Sequence, residues 1–236
     1  MRPDERPLTG ALEPHRAGGW RYARWPRRIG AVITDRRADA EAVIGSLAPA
    51  SCVEAEQVHG AGIAVIAGPP AAARLRVPGC DGLITAVPGV ALAVRTADCL
   101  PVLLAEPVRG VVGLAHAGWR GLAAGIAGRL AGAALHECGC DPGDLHAAIG
   151  PGIRSCCYEV GPEFGRWFAP HMQERGGRLF CDLTGAVRAQ LERAGVRPGR
   201  IHDTGRCTAC EMETWFSLRR EGQETGRLVS CIMYRP

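Results

Sequence analysis

Apolar residues recur along this chain in short runs separated by glycine, proline and acidic turns, and the period of each run predicts its element. Segment 28–34 (RIGAVIT) reads as a first strand, and 35–48 (DRRADAEAVIGSLA) as an aspartate-capped amphipathic helix. Alternation over 52–60 (CVEAEQVHG) predicts a strand ending at His59, and 61–68 (AGIAVIAG) a second strand close enough to form a hairpin with it. A short strand and a Pro-Gly turn follow at 80–89 (CDGLITAVPG). Segment 90–106 (VALAVRTADCLPVLLAE) is two apolar strands on either side of TADCLP, and 108–121 (VRGVVGLAHAGWRG) is a strand running into a turn. Small and apolar residues over 122–139 predict a helix. A strand and glycine turn are expected at 145–153 (LHAAIGPGI), and a partly helical stretch at 158–172. Segment 179–196 predicts a short strand and then a helix, with Thr184 as N-cap and Gly195 as its stop. Segments 200–205, 213–222 and 227–235 close the chain with strands and a loop. Strands come in pairs with helices between the pairs, which predicts an α/β fold with a mixed sheet.

Composition narrows the class. Of the 236 residues 47% are hydrophobic, enough for a sizeable core, yet no apolar run approaches the ~18 residues of a membrane span. The first nineteen residues have no apolar stretch behind their charges, so no secretory signal is expected. Residues 1–25 read as a loosely ordered Pro/Gly/Arg-rich tail, and 26–236 as a single domain. The net charge is +4, and every one of the 28 basic residues is arginine, scattered among 24 acidic ones. That scatter gives no stripe for DNA or RNA. Eleven cysteines at irregular positions, without a secretion signal, read as mostly reduced thiols of a cytoplasmic protein, several of them plain core residues.

Four places carry candidate chemistry. His59, Cys99 and His116 each stand at the end of, or a break in, a strand-like run, and strand ends gather at a sheet edge. Two imidazoles and a thiolate would suit a catalytic zinc with a fourth position left for water, or they are a buried thiol and two loop histidines. Asp98 is either an orienting partner of a histidine, a general base, or a turn aspartate that caps its own backbone. HAGWRG ends a strand and opens a helix, where Arg120 offers a forked donor suited to phosphate or carboxylate, or else sits at the surface beside a packing tryptophan. GPGI presents Gly150 and Gly152 in a turn suited to close approach by a ligand, though no nucleotide-binding glycine motif is present. Cys207 and Cys210 form a lone C-x-x-C, read as structural, and the adjacent Cys156 and Cys157 do not easily chelate one ion together. Cys99 and His116 could also act as nucleophile and base without a metal.

Taken in order, EQVHG, CDGLIT, VRTADCLPVLLAE, GLAHAGWRGLAAG, AIGPGIRSCCYEVG, CDL, CT and FSLRREGQETGR closely resemble the bacterial polyphenol oxidase or laccase-domain family, from about Val53 to Arg227. The resemblance implies purine nucleoside phosphorylase or adenosine deaminase activity, and in some members peptidoglycan editing. It implies a metal, zinc with copper as the other possibility, held by His59, Cys99 and His116. It implies a single-domain α/β sandwich related to the catalytic domain of cytotoxic necrotizing factors. Asp98, Cys99 and His116 are then the catalytic candidates, and Arg120, Gly150 and Gly152 those for substrate or phosphate. The expected partners are a purine nucleoside and phosphate, with no nucleic acid and no membrane, in a monomer or small homo-oligomer. True laccase chemistry is discounted, because the sequence has no His-x-His pair. Two departures bear on substrate. The family's GGVS-x-G loop and Asn-Leu-Gly segment are replaced by RIGAVITDRRADAEAV, and Leu218 stands where the family has an aromatic residue or histidine.

Overall fold

The computed structural model describes residues 12–23 and 25–235. In chain order its strands are β1 (Leu12–Pro14), β2 (Trp20–Tyr22), β3 (Ile29–Ile33), β4 (Ser51–Ala55), β5 (Ile63–Ile66), β6 (Arg74–Val77), β7 (Gly82–Thr85), β8 (Val90–Thr96), β9 (Leu100–Glu106), β10 (Val111–Ala117), β11 (His146–Ile149), β12 (Glu159–Val160), β13 (Met172–Arg175), β14 (Arg178–Cys181), β15 (Ile201–Asp203) and β16 (Leu228–Tyr234). The α-helices are α1 (Ala40–Gly45), α2 (Trp119–Ala123), α3 (Ile126–His136), α4 (Gly165–Phe168), α5 (Leu183–Arg193) and α6 (Leu218–Glu221). Two mixed sheets dominate. One runs β1-β2-β3-β16-β8-β4-β6 and the other β15-β11-β9-β10-β7-β5, while β12, β14 and β13 form a small antiparallel sheet.

The near-continuous apolar runs of β9, β10 and β16 are explained by burial on both faces, since every residue in them is buried. The period of two then sorts side chains between layers. From β9, Val102 and Leu104 join Leu130 of α3 and Val187 of α5, whereas Leu103 points the other way, to Leu92 and Val94 of β8. Helix α1 covers the far face of the first sheet, with Val43 and Ile44 against Val32 and Cys231. The order of layers is therefore α1, sheet, sheet, then α3 with α5. Each fully buried Leu or Ile in these layers contributes about 1.5–3 kcal/mol.

Several expectations need correction. Segments 52–60 and 61–68 make no hairpin: β4 lies in the first sheet and β5 in the second, so residues 56–62 cross between sheets. The expected helix 122–139 starts earlier and is broken, because Gly125 adopts φ 84° between α2 and α3. Helix α1 is capped by Asp39, whose side chain accepts from the Glu41 N–H, while Asp35 closes the preceding turn. Asp182, not Thr184, caps α5, accepting from the Gly185 N–H. Gly195 does stop that helix, at φ 93°. Among the closing segments expected as strands and a loop, 213–222 contains the short helix α6. Within the tail expected to be loose, β1 and β2 extend the first sheet. Tyr22 is buried there, and Trp20 lies 6.0 Å from Trp215, so apolar burial orders what composition suggested was free. Residues 1–11 of that tail lie outside the described residues.

Candidate metal centre and cleft

Two chain crossings build the site. Residues 56–62 pass from β4 to β5, and Ala97–Cys99 pass from β8 in the first sheet to β9 in the second. Both crossings lie beside the end of β10, which carries His116. Asp98 takes φ 80° and His59 φ 59°, the tight conformations that these reversals require. His59, Cys99 and His116 thereby each bring one donor atom within 4.8 Å of the others. His59 is exposed, Cys99 half-buried and His116 buried.

The residue that arranges this cluster is Asp81, which sequence reasoning did not single out. Its Oδ1 sits 2.8 Å from His116 Nδ1, so the carboxylate accepts from that ring N–H and leaves Nε2 for an ion. The same carboxylate accepts from the N–H groups of Val58 (3.1 Å), His59 (3.0 Å) and Gly60 (2.7 Å). One fully buried side chain thus fixes two of the three ligands, and hydrogen bonds to a charged group contribute about 1.5–3 kcal/mol each. The signal was present in CDGLIT, where a carboxylate begins a strand that is otherwise apolar, a placement that is costly unless the charge is partnered.

Electrostatics couple the cluster. Burial pushes the Cys99 thiol up, but His116 and His59 outweigh it and bring it down to about 7. Burial opposes the charged form of His116, yet Asp81 and Cys99 together hold it up at about 9. Burial works against the Asp81 carboxylate too, and its contacts with His116 and the Gly60 N–H keep it below the usual carboxylate range. The donor set fits a metal ion: two imidazoles and a thiol ready to ionise, with one imidazole already oriented. Gly118 keeps room beside it, since a Cβ there would stand 3.0 Å from Cys99 Sγ and 3.3 Å from His59 Nδ1.

The cluster opens into a cleft of about 390 Å³, whose lining includes His59, Cys99, Trp119, Tyr158, Leu218 and Arg219. Arg120 also lines it, its guanidinium 4.5 Å over the Trp119 ring, with no carboxylate paired to it among the described residues. Helix α2 is a five-residue turn, so the anion-holding capacity here rests on Arg120 rather than on a helix end. Ile153, Tyr158 and Arg219 were not anticipated; the first two reach the cleft from a loop and Arg219 from the short helix α6, segments whose sequence shows no periodicity.

Asp98 and the two glycines have protein partners of their own. Asp98 lines the cleft, but its carboxylate is fully engaged. Oδ1 accepts from Thr208 Oγ1 (2.6 Å) and Ser217 Oγ (2.8 Å), and Oδ2 accepts from the Arg219 N–H (2.7 Å). No histidine is among its partners; it pins the 208–219 segment to the cleft. Gly150 and Gly152 are not among the residues that line this cleft. A Cβ at Gly150 would lie 2.4 Å from the Tyr22 hydroxyl, and one at Gly152 2.6 Å from Leu100, so protein atoms occupy the space those glycines leave. The altered segment after β3 braces the cleft from behind: the Arg36 side chain donates to the Met212 carbonyl (2.6 Å) and pairs with Glu221, next to the turn that carries Leu218 and Arg219.

Comparison with known proteins agrees with this architecture. Residues 30–235 match the family model described as multi-copper polyphenol oxidoreductase laccase. The chain is 38% identical over 215 residues to purine nucleoside phosphorylase YlmD of Geobacillus stearothermophilus, covering 85% of this chain and 78% of that protein. It is 36% identical over 166 residues to adenosine deaminase RL5 from an unknown prokaryotic organism, covering 65% of this chain and 62% of that protein. The crystal structure of YlmD from Geobacillus stearothermophilus superposes with a TM-score of 0.85 at 32% identity, covering 97% of this chain and all of that one.

Proposed function

The chain belongs to the multi-copper polyphenol oxidoreductase laccase family, and on that premise we propose that it is a zinc-dependent purine nucleoside enzyme, catalysing phosphorolysis, adenosine deamination or both. The observation that carries this reading is the His59, Cys99 and His116 cluster at one end of a cleft that also holds Arg120 and aromatic walls. A cleft of about 390 Å³ lies in the range of small-molecule sites. Trp119 and Tyr158 offer flat faces to a purine, and Arg120 a forked donor to phosphate. Bound at His59, Cys99 and His116, the ion would supply Lewis acidity and a water of lowered pKa. Asp81 holds the His116 ring through Nδ1 so that Nε2 would be free to hold the ion, and Asp98 holds Arg219 and its neighbours at the cleft. The fold relation to cytotoxic necrotizing factor catalytic domains, which the motif resemblance implies, is part of the proposal. Copper redox chemistry of the laccase kind is not part of the proposal: among the described residues histidines converge with cysteine at one place.

The test is a nucleoside panel on metal-quantified protein, with and without phosphate. Conversion of adenosine or inosine is the expected result, and no turnover of any purine nucleoside at high protein concentration would overturn the reading. Arg120→Ala should raise the KM for phosphate about 10–100-fold, given the strength of a charge-assisted hydrogen bond. An unchanged KM would remove Arg120 from that role.

A second reading has its own support. Cys99, His116 and Asp81 also form a thiol–imidazole–carboxylate series, with the thiol drawn down to about 7. That is the arrangement of a Cys-His hydrolase or amidase, acting on a peptidoglycan precursor if the family resemblance extends so far. Activity that survives a chelator and is lost on thiol alkylation favours it over the metal enzyme. An ion bound tightly with no reaction on either substrate class would make the chain a non-catalytic relative. The proposed setting is the cytoplasm; no helix of the described residues is long and apolar enough to cross a membrane.

A further inference from the structure

A second cluster stands apart from the histidine site. Cys156, Cys157, Cys207 and Cys210 place their sulfurs within 4.8 Å of one another. Cys210 Sγ lies 3.5 Å from Cys156 Sγ and 3.3 Å from Cys157 Sγ, and all four thiols are free. The adjacent pair, read from sequence as poor at sharing an ion, does converge, because residues 155–157 form a turn in which both the Cys157 and the Tyr158 N–H donate to the Arg154 carbonyl. The C-x-x-C reverses at its own turn, where the N–H groups of Cys210 and Glu211 donate to the Cys207 carbonyl. A parallel bridge between Gly152 and Cys207 and the bond from Arg154 Nε to the Arg206 carbonyl (3.0 Å) clamp the two turns together.

We propose that these four cysteines form a second metal site, holding one tetrahedral thiophilic divalent ion, zinc by its chemistry, that staples two segments of the cleft wall. With metal–sulfur bonds near 2.3 Å, a tetrahedral ion sets its sulfurs about 3.8 Å apart, close to the spacing observed here. An iron–sulfur cluster would need far wider separation. Four thiolates fill a tetrahedral shell and leave no open position, the character of a structural zinc. Four thiolates around a divalent ion leave net negative charge, and Arg220 meets it, with Nη2 3.9 Å from Cys157 Sγ and Nε donating to the Ala209 carbonyl. The stapled segments run directly into cleft residues: Ile153 and Tyr158 flank the cysteine pair, and Thr208, between the other two, donates to Asp98. None of this depends on the nucleoside reading, because it concerns a separate ligand set and is read without an activity assay.

The experiment uses the full chain, expressed with added zinc and purified under reducing conditions, with metal counted against protein by mass spectrometry. Two ions per chain are expected. Cys207→Ser with Cys210→Ser should remove one, and His59→Ala with His116→Ala the other. Cobalt(II) reports on the unmutated chain as well, so the test survives a variant that does not fold. The intense visible and charge-transfer bands of tetrahedral tetrathiolate cobalt should appear and should persist in the histidine variant. A single ion that follows only the histidines, with no tetrathiolate cobalt spectrum, would overturn the proposal. So would recovery of the four cysteines as disulfides, two hydrogens lighter per pair by mass, in protein kept reduced and supplied with metal.

Discussion

The two clusters differ in how the chain holds them. His59, Cys99 and His116 come from a sheet-to-sheet crossing, a second crossing and a central strand, and a buried carboxylate arranges two of them. Cys156, Cys157, Cys207 and Cys210 come from two surface turns, with Cys156 and Cys210 exposed, and they face one another and Arg220. The first is mixed in donor type and opens on a cleft; the second is all sulfur and closed. A buried carboxylate fixes the ligands of the first, whereas backbone contacts between two surface turns gather the thiols of the second, and an ion would lock them.

The largest effect should come from the ligands themselves. Cys99→Ala or His116→Ala is expected to abolish both turnover and the ion of the histidine site, since two ligands rarely hold zinc, while the four-cysteine ion stays. Metal counting checks this, and loss of both ions together would show that the clusters are not independent. Next, Asp81→Asn should weaken metal affinity of the histidine site about 10–100-fold, with activity restored by excess metal. Competition against a chromophoric chelator measures it, and unchanged affinity would mean that Asp81 merely fills space.

A smaller effect separates positioning from catalysis at Asp98. Asp98→Asn removes the charge that gathers Thr208, Ser217 and Arg219, and should cost about 1–3 kcal/mol, a Tm lower by roughly 2–12 °C. Normal stability with a collapsed kcat would instead make Asp98 the proton carrier. The smallest effect is in pH. In metal-free protein the Cys99 thiolate forms as pH rises through about 7, whereas His116 loses its proton only as pH rises through about 9. The thiolate–imidazolium pair is therefore populated between those values. It is lost on the acid side as Cys99 protonates and on the alkaline side as His116 deprotonates. Alkylation of Cys99 should be half-maximal near pH 7, against about 8.5 for an ordinary thiol, and bound metal should suppress it. A midpoint near 8.5 would remove the imidazoles' influence and weaken the hydrolase reading most.

Much of this protein was legible in its sequence. Apolar runs located β3, β8, β9, β10 and β16 because two-sided burial leaves continuous hydrophobic strands, and Gly195 marked the end of α5 because a left-handed residue there favours glycine. His59, Cys99 and His116 were legible as metal-ligand types at strand breaks, and motif resemblance grouped them. What the sequence could not carry was partnership across the fold. Asp81 and His116 are 35 residues apart, Asp98 and Ser217 are 119 apart, and no local period connects either pair. Gly150 and Gly152 looked like ligand turns because a glycine shows only that space is needed, not which atoms fill it. Cys156 with Cys157 and Cys207 with Cys210 were two unremarkable pairs until Gly152 bridged to Cys207 and brought their turns together. Local sequence determines element, turn and donor type through short-range sterics and burial. Which donors share an ion, and which carboxylate is spent on structure, is decided only when the two sheets close on each other.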